Sequence, residues 1–324
     1  MTAIVADATV STGVRDLAVI SARRIVSDDV VEFTLRRPDG SRLPDWTPGA
    51  HIDLTPQDGT TRQYSLCGDR WDTQTYRIAV QREADGAGGS ILMHDTIHEG
   101  SVVRFGGPRN NFRLAPAATY LFIAGGIGIT PILPMITQAD LLDADWRLLY
   151  LGRTRTTLAY ESELALHGDR VTVHCADEAG RAELESWRPS DPDVRIYACG
   201  PARLLDTVEA WGALPGGLAP RIERFAAPAA SDPLPAVAFE VIARRSGTST
   251  TVAPDETLVT ALHRIGVEVL TSCGQGVCGT CETDVLDGRP QHRDSLLDDI
   301  ERAAGSCMFP CVSRSLDKRL VLDL

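Results

Sequence analysis

The chain has almost no lysine. Lys318 stands alone among 324 residues, and arginine supplies the rest of the positive charge. That bias reads as genome composition. Even with arginine counted, 32 basic residues face 44 acidic ones, a formal net charge of −12. This balance excludes nucleic acid as a partner, because phosphate backbones are held by clustered cations. Long apolar runs are missing too: none approaches the ~20 residues of a membrane-crossing helix, so no membrane partner is expected. The opening MTAIVADATVSTGVRD lacks the basic start and apolar core of a signal peptide. A cytoplasmic location is the expectation. Internal repeats and low-complexity tracts are absent. What remains is ordinary for a soluble globular protein, 43% hydrophobic and 23% charged. The length is too great for one core and suits two or three domains.

Against this background the eight cysteines stand out. In a cytoplasmic chain they point to metal or redox use and away from disulfides. Cys273, Cys278 and Cys281 sit in TSCGQGVCGTC, and Cys311 follows in MFPCVSR. The spacing is C-x4-C-x2-C, then 29 residues, then C. Plant-type ferredoxins hold a [2Fe–2S] cluster with this spacing. A tight loop supplies three thiolates and a distant segment the fourth. Gly274, Gly276 and Gly279 let the loop curl and aim backbone N–H groups at sulfur. A zinc site is the alternative, but structural zinc prefers paired short spacings, and only one C-x2-C pair is present. Cys307 competes with Cys311 for the fourth position. Cys311 is favoured because Val312 and Ser313 resume a strand-like run. Cys67, Cys175, Cys199 and Cys307 default to buried thiols.

Residues 1–14 read as a loose tail. From Asp16 to about Asn111, short alternating runs such as VVEFTLRR, RQYSLCG and YRIAVQRE are separated by turn clusters, which predicts an antiparallel sandwich or barrel. A short helix is expected at Ser90–Ile97. From Thr119 strands and helices alternate: TYLFIAG, IGITPILPMITQADLLD, WRLLYLGRT, ESELALHG, VTVHCAD, VRIYACG and ARLLDTVEAWGAL. That order predicts a parallel sheet covered by helices. APAASDPLPA at 227–236 reads as an exposed linker. The remainder opens on a hairpin turning at Gly247, then a helix at Thr257–Ile265, then the cysteine loop.

Four further motifs carry chemistry. Arg62-Gln63-Tyr64-Ser65-Leu66 gives a cation, an aromatic and a hydroxyl on one barrel strand. In a regular strand Arg62 and Tyr64 share a face and Ser65 takes the other, so a bend is needed for all three to meet one ligand. The set suits a flavin: arginine for its phosphate, tyrosine beside ring or sugar, and serine near the redox nitrogen. A solvated strand face is the plainer alternative. Gly86-Ala87-Gly88-Gly89-Ser90, ahead of the short helix, can close a phosphate site with Arg62, or be only a hairpin loop. Ala124-Gly125-Gly126-Ile127-Gly128-Ile129-Thr130-Pro131 follows a buried strand and opens a helix, with Thr130 the candidate cap and Pro131 in the first turn. Tyr197-Ala198-Cys199-Gly200-Pro201 repeats the strand-to-helix turn. Both turns fall at the carboxyl edge of the sheet, where nucleotides bind.

RxYS, GGS, GGIGITP, CGP, ERF and the cysteine spacing, in this order, resemble the phthalate dioxygenase reductase type within the ferredoxin–NADP reductase superfamily. Vanillate demethylase reductase is similar, and CVSRS…RLVLDL matches the group. The resemblance covers nearly the whole chain. It implies a multidomain α/β plus β protein: a flavin-binding antiparallel β-barrel at 15–115, a parallel-sheet NAD-binding domain at 116–226, and a C-terminal β-grasp [2Fe–2S] ferredoxin domain at 237–324. Carried over by position, it associates Arg62, Gln63, Tyr64, Ser65, Ala79, Val80, Gln81, Gly88, Gly89, Ser90 and Phe225 with FMN. It associates Gly125, Gly126, Gly128, Thr130, Cys199, Gly200 and Pro201 with NADH. Ser65, Thr130, Cys199 and Phe225 position the hydride. Gln63 departs from the threonine often found there, and FAD is the fallback.

The reaction this implies converts electron currency. NADH gives a hydride to the flavin, single electrons pass through the cluster, and an external oxygenase component receives them. The cofactors do the chemistry, so no acid–base catalyst is nominated. Arg153 and Arg155 are the residues that would instead favour NADPH. A Rieske-type acceptor is favoured and a cytochrome P450 is the alternative. The rival from another class is a non-redox scaffold with a zinc-bound C-terminal module.

Overall fold

A computed structural model of the chain describes residues 16–56, 59, 61–83, 88–226, 237–297 and 299–324. The expected tail, the linker at 227–236 and the Gly86-Ala87 head of the second motif fall outside the described residues. The chain divides into two units, Asp16–Phe225 and Ala226–Leu324.

The first unit begins with six strands: β1 (Asp16–Ser27), β2 (Val30–Arg36), β3 (His51–Thr55), β4 (Arg62–Ser65), β5 (Tyr76–Gln81) and β6 (Val102–Arg109). They form one antiparallel sheet in the order β4-β3-β6-β1-β2-β5. Two bulges in β1, at Ile20/Ala22 and Ile25/Ser27, add twist and bend the sheet. The sheet curls until its edges meet at one bridge, Leu66 to Ile78. Inward residues fill the curl, among them Phe33, Leu35, Ile52, Leu54, Tyr76 and Phe105. Helix α1 (Gly89–Thr96) buries Met93 and is tied to β5 by His94 Nε2, 2.8 Å from the Val80 carbonyl.

Five parallel strands follow: β7 (Thr119–Gly125), β8 (Asp145–Gly152), β9 (Val171–Cys175), β10 (Arg195–Cys199) and β11 (Arg221–Glu223), in the order β11-β10-β7-β8-β9. Strand β7 is the centre and is covered on both faces, which is why TYLFIAG is apolar without alternation. Tyr120, Phe122 and Ala124 pack against helix α2 (Ile129–Leu141) through Ile132 and Met135. Leu121 and Ile123 pack the other way, where helix α5 (Ala202–Glu209) contributes Leu204, Leu205 and Val208. Between them, α3 (Glu161–Leu164) and α4 (Ala176–Ala179) are single turns. The expected helix ESELALHG is thus shorter than its pattern. It continues as a 3-10 turn to Arg170 and is interrupted by Gly168 at φ 60.

Barrel and parallel sheet share apolar contacts. Val30, Cys67, Ala79 and Phe112 belong to the same buried cluster as Phe122 and Met135. Glu32, only 5% exposed on β2, accepts a hydrogen bond from the Tyr160 hydroxyl at 3.0 Å and lies 3.4 Å from Arg77 Nε. A buried carboxylate is tolerated when paired and hydrogen-bonded in this way.

The second unit holds β12 (Phe239–Ala243), β13 (Thr248–Val252), α6 (Leu258–Arg264), β14 (Thr283–Asp287), β15 (Pro290–Gln291), α7 (Asp299–Ala304), β16 (Cys307–Met308), β17 (Arg314–Ser315) and β18 (Arg319–Leu322). The sheet order is β13-β12-β18-β14-β16, with β18 parallel to β12 and β15 paired separately to β17. Thr257 caps α6, its Oγ1 accepting from Thr260 N at 3.1 Å. Leu258 and Leu262 of that helix pack on Val241, Leu320 and Leu322. A hairpin, a helix laid on it and a last strand parallel to the first make a β-grasp.

Candidate functional site

Past the end of β4, Leu66 pairs with Ile78 of β5 in a single antiparallel bridge. Beyond it the two strands diverge, and a cleft of about 720 Å³, open mouth included, fills the fork. Because the cleft lies along strand edges and not over a sheet face, four successive residues line it: Arg62, Gln63, Tyr64 and Ser65. The expected bend is therefore unnecessary. Ala79, Val80 and Gln81 line the opposite edge, with Gly89 and Ser90 from the start of α1. Thr130, Ile127 and Phe225 complete the lining from the parallel-sheet side. Phe225, just past β11, is 46% exposed.

The start of α1 and Arg62 form one corner. Gly88 precedes the helix at φ 81. A Cβ placed on Gly89 would sit 3.1 Å from Arg62 Nε, so glycine leaves the guanidinium room beside the helix start. A guanidinium beside free helical N–H groups is an anion site. Two amides on the rim are braced by carboxylates: Gln63 Nε2 donates to Asp53 Oδ1 at 2.9 Å, and Gln81 Nε2 to Asp29 Oδ2 at 2.7 Å. Ser90 Oγ accepts from Glu83 N at 3.0 Å. An anion corner, apolar walls and the Ser65 hydroxyl, with Thr130 on the rim, fit a flavin's phosphate and ring.

The two glycine turns interlock. A Cβ on Gly128 would lie 2.3 Å from the Cys199 carbonyl oxygen, and one on Gly125 2.7 Å from Pro201 Cδ. Gly200 lies against Gly125 in the same way. Backbone approach this close permits no side chain. Gly126–Gly128 form a 3-10 turn, and α2 starts beyond it with Gly128 as its cap residue. Thr130 is consequently not the cap. It lies inside the first turn, where its hydroxyl donates back to the Ile127 carbonyl at 2.9 Å, a local bond short hydroxyl side chains often make.

Sequence reasoning missed three residues here. Glu83 and Ile127 line the cleft; Glu83 ends the quoted run YRIAVQRE and Ile127 stands inside the quoted glycine turn, so both were within reach. Glu223 was not. It stands opposite Cys199 in the parallel register of β10 and β11. Burial pushes its carboxyl up to about 8, and its Oε2 has no partner among the described residues. Burial, then Glu223, raises the Cys199 thiol well above the usual range.

The four cysteines of the C-terminal motif converge. Cys281 Sγ lies 3.2 Å from Cys311 Sγ. Gln275 N donates to Cys273 Sγ at 3.3 Å, and Cys278 Sγ is 3.2 Å from Thr280 Oγ1. Gly276 takes φ 70, and a Cβ there would lie 2.6 Å from Val312 Cγ2. Cys278 is pushed up by its contact with Cys273 and by burial. Cys311 rises to about 12: its bond with Cys273 opposes the shift, while Cys281 and burial drive it. Thiols crowded this way ionise together only against a compensating positive charge, which iron supplies. Cys307 is set apart in β16 opposite Asp284. Its thiol is raised to about 11 by burial and by Glu282. After Cys311 the chain turns, and strand resumes at Arg314 and not at Val312.

A curled antiparallel barrel with a cofactor cleft, a parallel sheet with paired glycine turns and a four-thiol β-grasp module define an oxidoreductase of the flavin and iron–sulfur type. The family model for a 2Fe-2S iron-sulfur cluster binding domain matches residues 241–315. Phenoxybenzoate dioxygenase subunit beta of Ectopseudomonas oleovorans is 42% identical over 304 residues, 92% of this chain and 94% of that protein. Phthalate dioxygenase reductase, as a solved structure, is 34% identical with a TM-score of 0.68, covering 96% of this chain and 98% of that one. An intact type IV self-sufficient cytochrome P450 monooxygenase is 37% identical with a TM-score of 0.91; the match covers 98% of this chain and 43% of that one. The chain belongs to the phthalate dioxygenase reductase family. No helix among the described residues is long and apolar enough to cross a membrane.

Proposed function

We propose that this chain is the reductase component of a multicomponent oxygenase, working in the cytoplasm with NADH as donor and an oxygenase protein as acceptor. The observation that carries this reading is the convergence of Arg62, Ser65, Thr130 and Phe225 on one cleft. Residues up to about 115 serve as the flavin barrel, 116–226 as the NAD-binding domain and 237–324 as the ferredoxin domain. Bound in the cleft and in the thiol loop, FMN and a [2Fe–2S] cluster would accept a hydride and release its electrons singly.

The chain's own residues bind and orient. Arg62 and the Gly88–Ser90 segment would hold the flavin phosphate, Tyr64 and the Ala79–Gln81 edge would flank the ring, and Ser65 would offer a hydroxyl to it. Gly125, Gly126, Gly128, Gly200 and Pro201 give the nicotinamide a backbone-lined floor. Thr130 and Cys199 would border that floor, and the exposed Phe225 would pack on the flavin ring from the parallel-sheet side. Holding the two rings in contact is an orientation effect. Cys273, Cys278, Cys281 and Cys311 hold the iron. The phosphate corner suits FMN, with FAD as the fallback.

A Rieske-type oxygenase is the favoured acceptor. The similarity to the P450 monooxygenase structure supports a second reading, in which the acceptor is a P450. Replacing Cys278 with serine tests the relay. The variant is expected to bleach its flavin with NADH but to lose reduction of cytochrome c as a one-electron protein acceptor. Retention of cytochrome c reduction without the cluster would exclude the proposed route.

A further inference from the structure

The nucleotide edge contains a second carboxylate arrangement that the flavin cleft does not use. Strands β8 and β9 end in register, Gly152 opposite Cys175, so their exit loops leave the sheet side by side. Asp177 N donates to the Arg153 carbonyl at 3.0 Å and ties the loops together. In doubly wound nucleotide folds the end of the second strand is where the adenosine ribose is read, by an acid for a 2′-hydroxyl or an arginine for a 2′-phosphate. Arg153 and Arg155 occupy that position. Left to themselves they would favour NADPH.

Arg155 is not left to itself. Its Nε donates to Glu178 Oε1 at 3.2 Å and its Nη2 to Glu178 Oε2 at 3.2 Å, a bidentate fork. Its Nη1 donates to Glu161 Oε1. All three nitrogens thus face the chain's own carboxylates, and one arginine against two acids leaves the trio negative. Glu178, Asp177 and Cys175 place their donor atoms within 4.8 Å of one another, adding a further acid to the same edge. Such an edge disfavours a dianionic phosphate and can accept a hydrogen bond from a hydroxyl.

We infer that Glu178 biases the nucleotide preference of this protein against NADPH: by holding the Arg155 guanidinium it denies that one cation to a 2′-phosphate and leaves Arg153 alone to meet it. This rests on the reading of the parallel sheet as the NADH site. The Arg155 guanidinium is held further above its usual range by Glu178 first and Glu161 second, in keeping with a cation already engaged. Arg153, exposed two residues earlier, supplies the comparison of a cation that is merely nearby.

The test is flavin reduction by NADH and by NADPH in the holoprotein, followed by stopped flow. Glu178→Gln is expected to raise the NADPH:NADH ratio of kcat/KM by about tenfold, mainly through a lower KM for NADPH, the effect of one charge-assisted bond to phosphate. Arg155→Ala in the E178Q background should cancel that rise. Arg153→Ala should lower NADPH use to the same extent with or without Glu178. An unchanged ratio in E178Q, or a rise that persists without Arg155, overturns the inference while leaving the NADH reading intact if the unsubstituted protein still prefers NADH. An unsubstituted protein that prefers NADPH, or oxidises neither nucleotide, overturns both.

Discussion

At Glu223 the parallel sheet buries a carboxyl group beside Cys199, with one oxygen unpartnered among the described residues. Burial raises it to about 8, so the folded chain binds this proton more tightly than the unfolded chain, whose carboxyl titrates near ~4.3. The stabilising contribution is fully present below the unfolded value and is lost as pH rises toward the folded one. The Oε2 atom is enclosed although the residue as a whole keeps some surface, so the full shift is discounted for solvent screening to on the order of 2 kcal/mol, or roughly 4–8 °C in Tm. The Tm of the unsubstituted protein should therefore fall relative to Glu223→Gln as pH rises from about 5 to about 8. Parallel Tm-against-pH curves for the two would contradict the account. Nothing local in RIERF announces this residue. Its neighbour is 24 positions away in the chain and adjacent only through strand register. Arg62 was legible for the opposite reason: a cation, an aromatic and a hydroxyl within four residues need no tertiary knowledge. Thr130 was misread as a cap because the 3-10 turn at Gly126–Gly128 uses residues that the sequence alone assigns to the helix start.

Two elements explain where pattern reasoning stops. Alternation along β4 assigns side chains to faces, but the cleft lies along an edge, where the strands part beyond Leu66 and Ile78. Whether two edge strands pair or diverge is a property of the closed sheet, not of RQYS. The cysteine loop was readable from spacing, since three thiols within nine residues must share one loop. The fourth thiol depended on a strand resuming after Cys311, and that strand starts later than expected. The geometry nonetheless separates the rivals: Cys311 lies against Cys281, while Cys307 faces acidic residues. Cys307→Ser should retain iron, sulfide and visible absorption, and Cys311→Ser should lose them. The reverse pattern, read by iron and sulfide analysis of anaerobically purified protein, would reassign the fourth ligand.

Over the whole molecule, the change from short alternating runs to alternating strands and helices leads the sequence reading to expect a boundary near 115/116. The structure places that boundary inside one unit, Asp16–Phe225. The two sheets are joined by Val30, Cys67, Ala79 and Phe112 and by the Glu32–Tyr160 hydrogen bond. In sequence these look like ordinary core residues of their own sheets, which is why the join was not legible. The join matters for function because it brings Thr130 and Phe225 to a cleft otherwise built from the barrel. The central claim is that two electrons entering at that cleft leave singly through the four-thiol module. Anaerobic titration of the holoprotein with NADH, followed by absorption and EPR, tests it most directly. The account predicts uptake of about three electrons per chain, two by the flavin and one by the cluster, with the EPR signal of a reduced [2Fe–2S] centre growing as NADH is added. A flavin that bleaches while no such signal forms, or protein that contains neither iron nor sulfide, would contradict it.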